Sequence, residues 1–257
     1  MSNIAAEITF SSSNLLVILI EGVDCSQMQK LKLRPISAYQ RTTNYAKPVE
    51  IGCFSFTEHR KLEPNSRKSL HKYVDPPIGS DLNTGFPQNY TVRAQINEHL
   101  DALLTTLEGI SLKSTPDFIT WRGMMTRIAC TPYTNDDWEM NVCLKNGTIF
   151  IEDYISPTQS RQSYPDEQRM TYYGYKFESI CTNTPHSDHN SLVVDTNVQF
   201  CSVFTAKLGD STIIMGGEVD CLYENEYAEL KTNRVLLNKK NKTSFIRYMT
   251  LDADSNY

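Results

Sequence analysis

The sequence predicts a protein of mixed α and β structure, because hairpin signals and helical periodicity alternate along the chain. Residues 138–155 give the strongest hairpin signal, since Asn146-Gly147, a dipeptide that favours a type I′ turn, separates two runs of strand-forming residues. Residues 91–108 give the strongest helix signal, since leucines recur at three- and four-residue steps before Gly109. The 257 residues, 40% of them hydrophobic, suffice for one large or two small globular domains.

Weaker local signals predict the remaining elements. Four prolines between positions 64 and 90 predict a long loop in that interval. Apolar runs predict strands over Leu15–Val23, Glu50–Phe56 and 196–206, aromatic spacing predicts a helix over 169–183, and polar composition predicts loops over 156–168 and 184–192.

Charge and cysteine usage exclude several classes of function. A formal net charge of −5 gives no support to passive, sequence-independent binding of nucleic acid. The seven cysteines are odd in number and lack C-x-x-C spacing, which indicates free thiols in a reducing compartment. His186 and His189 have no further ligands at zinc spacing, so a polar loop is the better interpretation there.

No stretch reaches the ~18 apolar residues that a membrane-spanning helix needs. The apolar run Leu15–Ile20 is short and follows Glu7 rather than a basic segment, which argues against a signal peptide. We therefore expect no membrane association and a location in the nucleus or the cytoplasm.

Residues 211–232 are predicted to form two strands joined by a tight turn. The first strand carries Glu218 and Asp220, and the second carries Glu229 and Lys231. Residues two apart in a strand share a face. Three carboxylates and one lysine could therefore meet across a single hairpin.

The length of the turn decides whether these groups meet. If the loop is the two-residue Glu224–Asn225, Asp220 faces Glu229, and Glu218 faces Lys231. A loop of three residues would send the second pair to the opposite side of the sheet. A functional cluster therefore requires an even loop.

Two interpretations of the acidic hairpin remain open. One is a solvated polar face on an exposed edge hairpin, which is common in proteins. The other is a metal site, since clustered carboxylates repel one another unless a cation lies among them. Apolar flanks such as Ile213 and Ile214 indicate an interior strand, and Gly216-Gly217 indicates a bend or the close approach of another group.

Two further charged residues lie in apolar surroundings. Arg122 follows Trp121 between two apolar runs, so it is either a structural ion pair with an acid or a contact to a phosphate or metal site. Glu178 lies among aromatic residues of the predicted helix over 169–183, so it is either paired or a ligand.

The order of these groups is that of the PD-(D/E)XK nuclease class. An acid on a helix precedes Glu218-x-Asp220 on one strand and Glu229-x-Lys231 on the next. In such an arrangement carboxylates hold Mg²⁺ or Mn²⁺, the metal activates water, and the lysine offsets charge on the scissile phosphate. Short acid-x-lysine strings are common by chance, so this motif alone is weak.

Several longer strings resemble the DXO family of RNA decapping enzymes and 5′→3′ exoribonucleases, in order, from about residue 45 to about residue 249. The strings are Trp121-Arg-Gly123, Gly174-Tyr-Lys-Phe-Glu178, Thr196–Val203, Gly217-Glu-Val-Asp-Cys221 and Glu229-Leu-Lys231, with Glu50–Ser55 and Leu82–Pro87 in the N-terminal half.

The resemblance implies a fold, a site and an activity. The fold is a central mixed β-sheet flanked by helices. Lys231 would act in catalysis or contact substrate, and Arg122 would contact the site or an RNA phosphate. The implied divalent-metal ligands (Mg²⁺ or Mn²⁺) are Glu178, Glu218, Asp220 and Glu229.

The resemblance predicts a metal-dependent RNA 5′-end hydrolase that removes incomplete or noncanonical caps, including NAD caps. Some members of the family also degrade RNA from that end, and some bind a larger nuclear 5′→3′ exoribonuclease. The alternative is a catalytically weak relative that acts as an RNA-binding or scaffold protein. A metal-dependent DNA nuclease would share the acid-x-lysine motif but would not explain the longer strings.

The resemblance also predicts the domain organisation. We expect an N-terminal segment over 1–44, a catalytic domain over 45–249 and a polar tail over 250–257. Family members continue past the Glu-x-Lys strand with a helix that carries a glutamine near the site. Here no glutamine follows Gln199, so we expect the C-terminal part of the catalytic domain to be missing.

Overall fold

A computed structural model describes residues 4–11, 15–20, 29–32, 44–94, 98–134, 137–154, 166–182 and 191–232. The helices are α1 (Asp101–Glu108), α2 (Arg122–Cys130) and α3 (Glu167–Thr182). The strands are β1 (Ile4–Ser11), β2 (Leu15–Ile20), β3 (Gln29–Lys32), β4 (Tyr45–Phe56), β5 (Leu62–Pro64), β6 (Tyr90–Thr91), β7 (Phe118–Trp121), β8 (Trp138–Lys145), β9 (Thr148–Asp153), β10 (Val194–Asp195), β11 (Gln199–Leu208), β12 (Ser211–Glu218), β13 (Cys221–Tyr223) and β14 (Glu226–Ala228).

Ten of these strands form one mixed sheet in the order β3-β2-β1-β8-β9-β7-β12-β11-β4-β5. The central strand β7 is parallel to both β9 and β12, whereas β12 is antiparallel to β11, and β9 is antiparallel to β8. Helix α2 packs against β7, β9 and β12. The predicted central mixed sheet with helices is confirmed. Separately, β6 pairs with β10, and β13 pairs with β14.

The chain divides into two compact units. The first unit comprises Met1–Phe54, Ile96–Gln159 and Cys201–Glu218, and it holds α1, α2 and most of the large sheet. The second unit comprises Ser55–Gln95, Ser160–Phe200 and Val219–Tyr257, and it holds α3 and both small sheets. Among the described residues, no helix is long and apolar enough to cross a membrane.

The predicted hairpin over 138–155 is confirmed as β8 and β9. Its turn residues have positive φ, 54° at Asn146 and 84° at Gly147, as a type I′ turn requires. Buried Met140 of β8 and Ile151 of β9 pack with Met124 of α2 in one hydrophobic cluster. The hairpin and α2 thereby form one side of the core of the first unit.

The predicted helix over 91–108 is wrong at its N-terminal end, because α1 begins only at Asp101. Thr91 belongs to strand β6, and His99 has a φ of 45°, in the left-handed region that a right-handed helix cannot include. Leu103 and Leu107 of the predicted stripe are buried, as expected of core residues.

The other predicted elements agree with the structure wherever it describes them. Helix α3 covers the predicted helix over 169–183, with Tyr172 and Ile180 buried. Six described cysteines are free thiols, and Cys53, Cys181, Cys201 and Cys221 are buried among them. Strands β2, β4 and β11 confirm the three predicted apolar strands, and most of the loops predicted over 156–168 and 184–192, including His186 and His189, lie outside the described residues.

The glycine pair in β12 allows two side chains to lie directly on the strand. A Cβ at Gly216 would lie 2.6 Å from Trp121 Cζ3, and a Cβ at Gly217 would lie 3.2 Å from Arg122 Nε. The Trp121 ring is held in place by an edge-on contact with Phe54, at 6.3 Å between centroids, and by donation from Nε1 to the His99 carbonyl at 3.0 Å. The predicted close approach of another group at this glycine pair is confirmed.

We expect Gly216→Ala to lower the free energy of unfolding by about 1–3 kcal/mol, because the methyl group must displace a packed indole ring. Urea unfolding measures the change. The matched control is Gly123→Ala in α2, where a Cβ meets nothing within 4 Å and alanine favours the helix. Equal stability of the two variants would contradict this account of β12.

Candidate functional site

The turn at Glu224–Asn225 has two residues, as the sequence analysis required. Both have positive φ, 49° and 71°, and the ladder pairs Tyr223 with Glu226 and Cys221 with Ala228. Positive φ at both central positions is the signature of a type I′ turn. The even register of the hairpin is therefore confirmed.

The strand pairing predicted for Glu218 is wrong. Strand β12 lies between β7 and β11, and the Cα partner of Glu218 is Cys201 rather than Lys231. Both edges of β12 are already hydrogen-bonded, so a further strand cannot pair with it. The chain instead leaves the large sheet after Glu218 and forms the separate β13–β14 hairpin, which ends at Ala228.

Three of the predicted acids lie near enough to one buried thiol of the second unit to act on it electrostatically. Burial in the first place, and then three neighbouring carboxylates, raise the pKa of the Cys221 thiol to about 11. In order of decreasing effect these carboxylates are Asp220, Glu178 and Glu229. The structure thus brings an acid of helix α3 together with acids from the two flanks of the hairpin.

Backbone hydrogen bonds place α3 beside the hairpin. The Val74 N–H donates to the Cys181 carbonyl of α3 at 2.7 Å, and the Tyr73 N–H donates to the Leu222 carbonyl of β13 at 2.8 Å. The Leu222 N–H in turn donates to the His71 carbonyl at 2.9 Å. A single extended segment, 71–74, therefore joins the last turn of α3 to the first strand of the hairpin.

A hydrogen bond and an ion pair lie at the end of the hairpin opposite its turn. Asp220 Oδ2 accepts a hydrogen bond from the Leu230 N–H at 2.6 Å, and Lys231 Nζ forms an ion pair with Glu229 Oε1. The lysine and its glutamate partner are each about one-third exposed. The lysine is therefore positioned beside the acid cluster while remaining accessible to a ligand.

The other predicted site residues, Arg122 and Glu218, belong to the first unit. Arg122 begins α2 directly after the extended residue Trp121, and its side chain lies on Gly217. Glu218 follows that glycine and is exposed at the end of β12. Within the described residues Arg122 makes no ion pair, and its contact with the site or an RNA phosphate stays a prediction. The ligand role of Glu218 stays a prediction.

The donor chemistry of the acid cluster fits a hard divalent cation. Mg²⁺ and Mn²⁺ prefer carboxylate oxygens, and a carboxylate has about four lone-pair sites, so one hydrogen bond does not prevent it from ligating a metal. In the part of the chain that the structure describes, no three Cys, His, Asp or Glu side chains lie close enough together to hold a metal ion as they stand. Metal binding would therefore require side-chain rotations at the cluster.

Residues 46–252, which include every predicted site residue, match the model of the family described as RAI1-like PD-(D/E)XK nuclease. The chain belongs to this family. The resemblance found in the sequence is thus confirmed, together with the nuclease-class fold that it implied.

The similar proteins include a curated relative with a decapping name and solved structures of Rai1. The Decapping and exoribonuclease protein of Xenopus laevis is 33% identical over 265 residues, which cover 89% of this chain and 65% of that relative. The crystal structure of S. pombe Rai1 in complex with 3′-FADP is 30% identical, with a TM-score of 0.62 over 80% of this chain and 66% of that one. Candida albicans Rai1 in complex with pU5-Mn²⁺ is 25% identical, with a TM-score of 0.69 over 84% and 67%. This chain thus spans about two-thirds of the length of these RAI1-like proteins.

The sequence analysis missed a buried lysine on the site helix. The side chain of Lys176 in α3 is only 1% exposed, and its Nζ donates to the Leu192 carbonyl. Lys176 lies four residues after Tyr172 and four before Ile180, the two fully buried residues of the same helical face. Helical periodicity could therefore have identified it.

We expect Asp220→Ala to lower the free energy of unfolding by about 1–3 kcal/mol, because the Leu230 N–H loses its charged acceptor. Asp220→Asn retains an acceptor oxygen and removes one of three repelling charges, so its stability should stay within about 1 kcal/mol of the wild type.

Urea unfolding separates these cases, with Glu226→Ala on the exposed face of β14 as a neutral control. If Asp220→Ala is as stable as Asp220→Asn, the hydrogen bond does not hold the hairpin.

Proposed function

We propose that this chain carries the catalytic site of a metal-dependent RNA 5′-end hydrolase that removes incomplete or noncanonical caps, including NAD caps, and degrades RNA from that end. The observation that carries the proposal is that Asp220, Glu178 and Glu229 all act electrostatically on the buried Cys221 thiol, beside Lys231. Three clustered carboxylates repel one another, so the arrangement is best explained by a cation that they bind.

The residues divide between holding the metal and contacting the substrate. Asp220, Glu178 and Glu229 would hold Mg²⁺ or Mn²⁺, which when bound activates water and neutralises charge on a phosphate. Leu230 orients the Asp220 carboxylate through its N–H. Glu229 holds the Lys231 ammonium beside the cluster, where its positive charge can stabilise the negative charge that develops on the scissile phosphate.

The similar proteins support the substrate class. The Xenopus laevis relative is named a decapping and exoribonuclease protein, and the C. albicans Rai1 structure contains pU5 with Mn²⁺. The S. pombe Rai1 structure contains 3′-FADP, a dinucleotide with a pyrophosphate linkage. A site that accepts both an RNA 5′ end and a dinucleotide would suit the hydrolysis of nucleotide caps.

A second function is a catalytically weak relative that binds RNA or acts as a scaffold. It is favoured because, among the described residues, no three Cys, His, Asp or Glu side chains lie close enough together to hold a metal ion as they stand. Both functions would suit a protein of the nucleus or cytoplasm, where RNA 5′ ends and a larger nuclear 5′→3′ exoribonuclease would be its partners.

The direct test is hydrolysis of an RNA panel with Mn²⁺, Mg²⁺ or chelator. The panel carries NAD, unmethylated guanosine, triphosphate or monophosphate 5′ ends, and mass spectrometry identifies the released products. We expect metal-dependent release by the wild type and a loss of about 100-fold or more in Glu178→Gln, since removal of a metal ligand weakens the metal site.

Glu167→Gln provides the matched control, because it is the same substitution in the first turn of the same helix. It should retain wild-type rates. The absence of metal-dependent hydrolysis on every RNA, or full activity of Glu178→Gln, would reject the proposed activity and favour the scaffold function.

A further inference from the structure

Two arginines of the second unit converge on one neutral oxygen atom. Arg60 Nη1 donates to Gln199 Oε1 and, at 3.0 Å, to the Asn197 carbonyl. Arg93 Nη1 donates to the same Gln199 oxygen at 3.0 Å. The shared oxygen thus holds two guanidinium groups side by side, and an anion that reached them would meet both positive charges.

The surroundings of this pair suit a phosphate. The Arg60 guanidinium lies 3.6 Å from the centroid of the Phe56 ring, which fixes its orientation. Arg93 is exposed and, within the described residues, its guanidinium bonds to no carboxylate. The nearby Asp195 accepts instead from the backbone and side-chain amides of Asn197, at 2.9 and 2.8 Å. Planar guanidinium groups match phosphate oxygens in pairs.

A third arginine, Arg67, lies beside residues that are close in sequence to both this pair and the acid cluster. Gln199 precedes buried Phe200, whose carbonyl accepts from the N–H of Val219 at 3.0 Å, one residue before Asp220. The Phe200 ring packs at 5.9 Å from Tyr227 of β14. Arg67 Nη1 donates to the Tyr227 hydroxyl at 2.8 Å, and its guanidinium lies 5.8 Å from the Phe200 ring.

Tyr227 adds an exposed aromatic surface at this point. Its side chain is 41% exposed, and it lies two residues before Glu229. Exposed rings beside arginines are the usual platform for the bases of single-stranded nucleic acid. The segment Ser55–Gln95, which supplies all three arginines, has six Lys or Arg against four Asp or Glu, although the whole chain is acidic.

We propose that Arg60, Arg67 and Arg93, the arginine stripe, bind single-stranded RNA beyond the 5′ end that the acid cluster would hydrolyse. Arg60 and Arg93 hold a backbone phosphate, and Arg67 with Tyr227 stacks on a base. The assignment of a direction along the RNA rests on the proposed function. An acidic peptide would pair with the arginines but would make no use of the exposed ring.

Binding is measured by fluorescence anisotropy with an RNA of about 12 nucleotides carrying a 5′ monophosphate, in chelator so that no hydrolysis occurs. We expect Arg93→Ala to raise Kd about 5- to 10-fold and to reduce the slope of log Kd against log salt by about 0.7, the value for one lost contact to a single strand. Tyr227→Leu should weaken binding, whereas Tyr227→Phe, which keeps the ring and loses only the hydroxyl that accepts from Arg67, should weaken it less.

The matched control is Arg169→Ala, an exposed arginine of α3 that lies 5.7 Å from the Phe86 ring outside the stripe. It should leave Kd and the salt slope unchanged. Wild-type binding by Arg93→Ala would overturn the proposal. Equal losses in both arginine variants, or equal competition by polyglutamate of the same charge, would also overturn it, because the stripe would then be a general anion patch.

Hydrolysis of a capped dinucleotide separates this inference from the proposed function. A capped dinucleotide carries no run of nucleotides beyond the 5′ end for the stripe to bind, so Arg93→Ala should hydrolyse it at the wild-type rate. Normal hydrolysis with RNA binding that does not depend on Arg93 refutes the stripe alone. Arg93-dependent binding by a protein that hydrolyses nothing refutes the catalytic proposal alone and supports the stripe.

Discussion

The candidate site depends on two backbone hydrogen bonds from adjacent residues. The N–H groups of Tyr73 and Val74 reach in one direction to Leu222 of β13 and in the other to Cys181 of α3. These bonds join segments that are far apart in the sequence, and they place Glu178 against the flanks of the hairpin. Without this connection Glu178 would be separated from Asp220 and Glu229, which the hairpin and the Leu230 N–H hold near each other.

Bringing those carboxylates together has an electrostatic cost that the surrounding residues reduce. Cys221 contributes a neutral group at the centre, because its raised pKa of about 11 keeps the thiol protonated at neutral pH. The Lys231 ammonium forms an ion pair with the Glu229 carboxylate, and the Leu230 N–H donates a hydrogen bond to the Asp220 carboxylate. A divalent cation would offset the remaining repulsion far more strongly, since its charge acts on all three acids.

Local features were predictable from the sequence, whereas long-range pairing was not. The turns at Asn146–Gly147 and Glu224–Asn225 and the close approach at Gly216 follow from residue type and neighbours. The position of β12 between β7 and β11 could not be predicted in this way, because it depends on hydrogen bonds with strands elsewhere in the chain. The arginine stripe was missed for the same reason, since Arg60 and Gln199 are 139 residues apart and follow no periodic pattern.

Isothermal titration of the protein with Mn²⁺ tests most directly whether the convergent acids form a metal site. The account predicts saturable binding to the wild type and to Glu167→Gln, and binding at least about 10-fold weaker in Glu178→Gln, which removes one ligand charge from the cluster. Absence of binding to the wild type, or an unchanged affinity in Glu178→Gln, would contradict it.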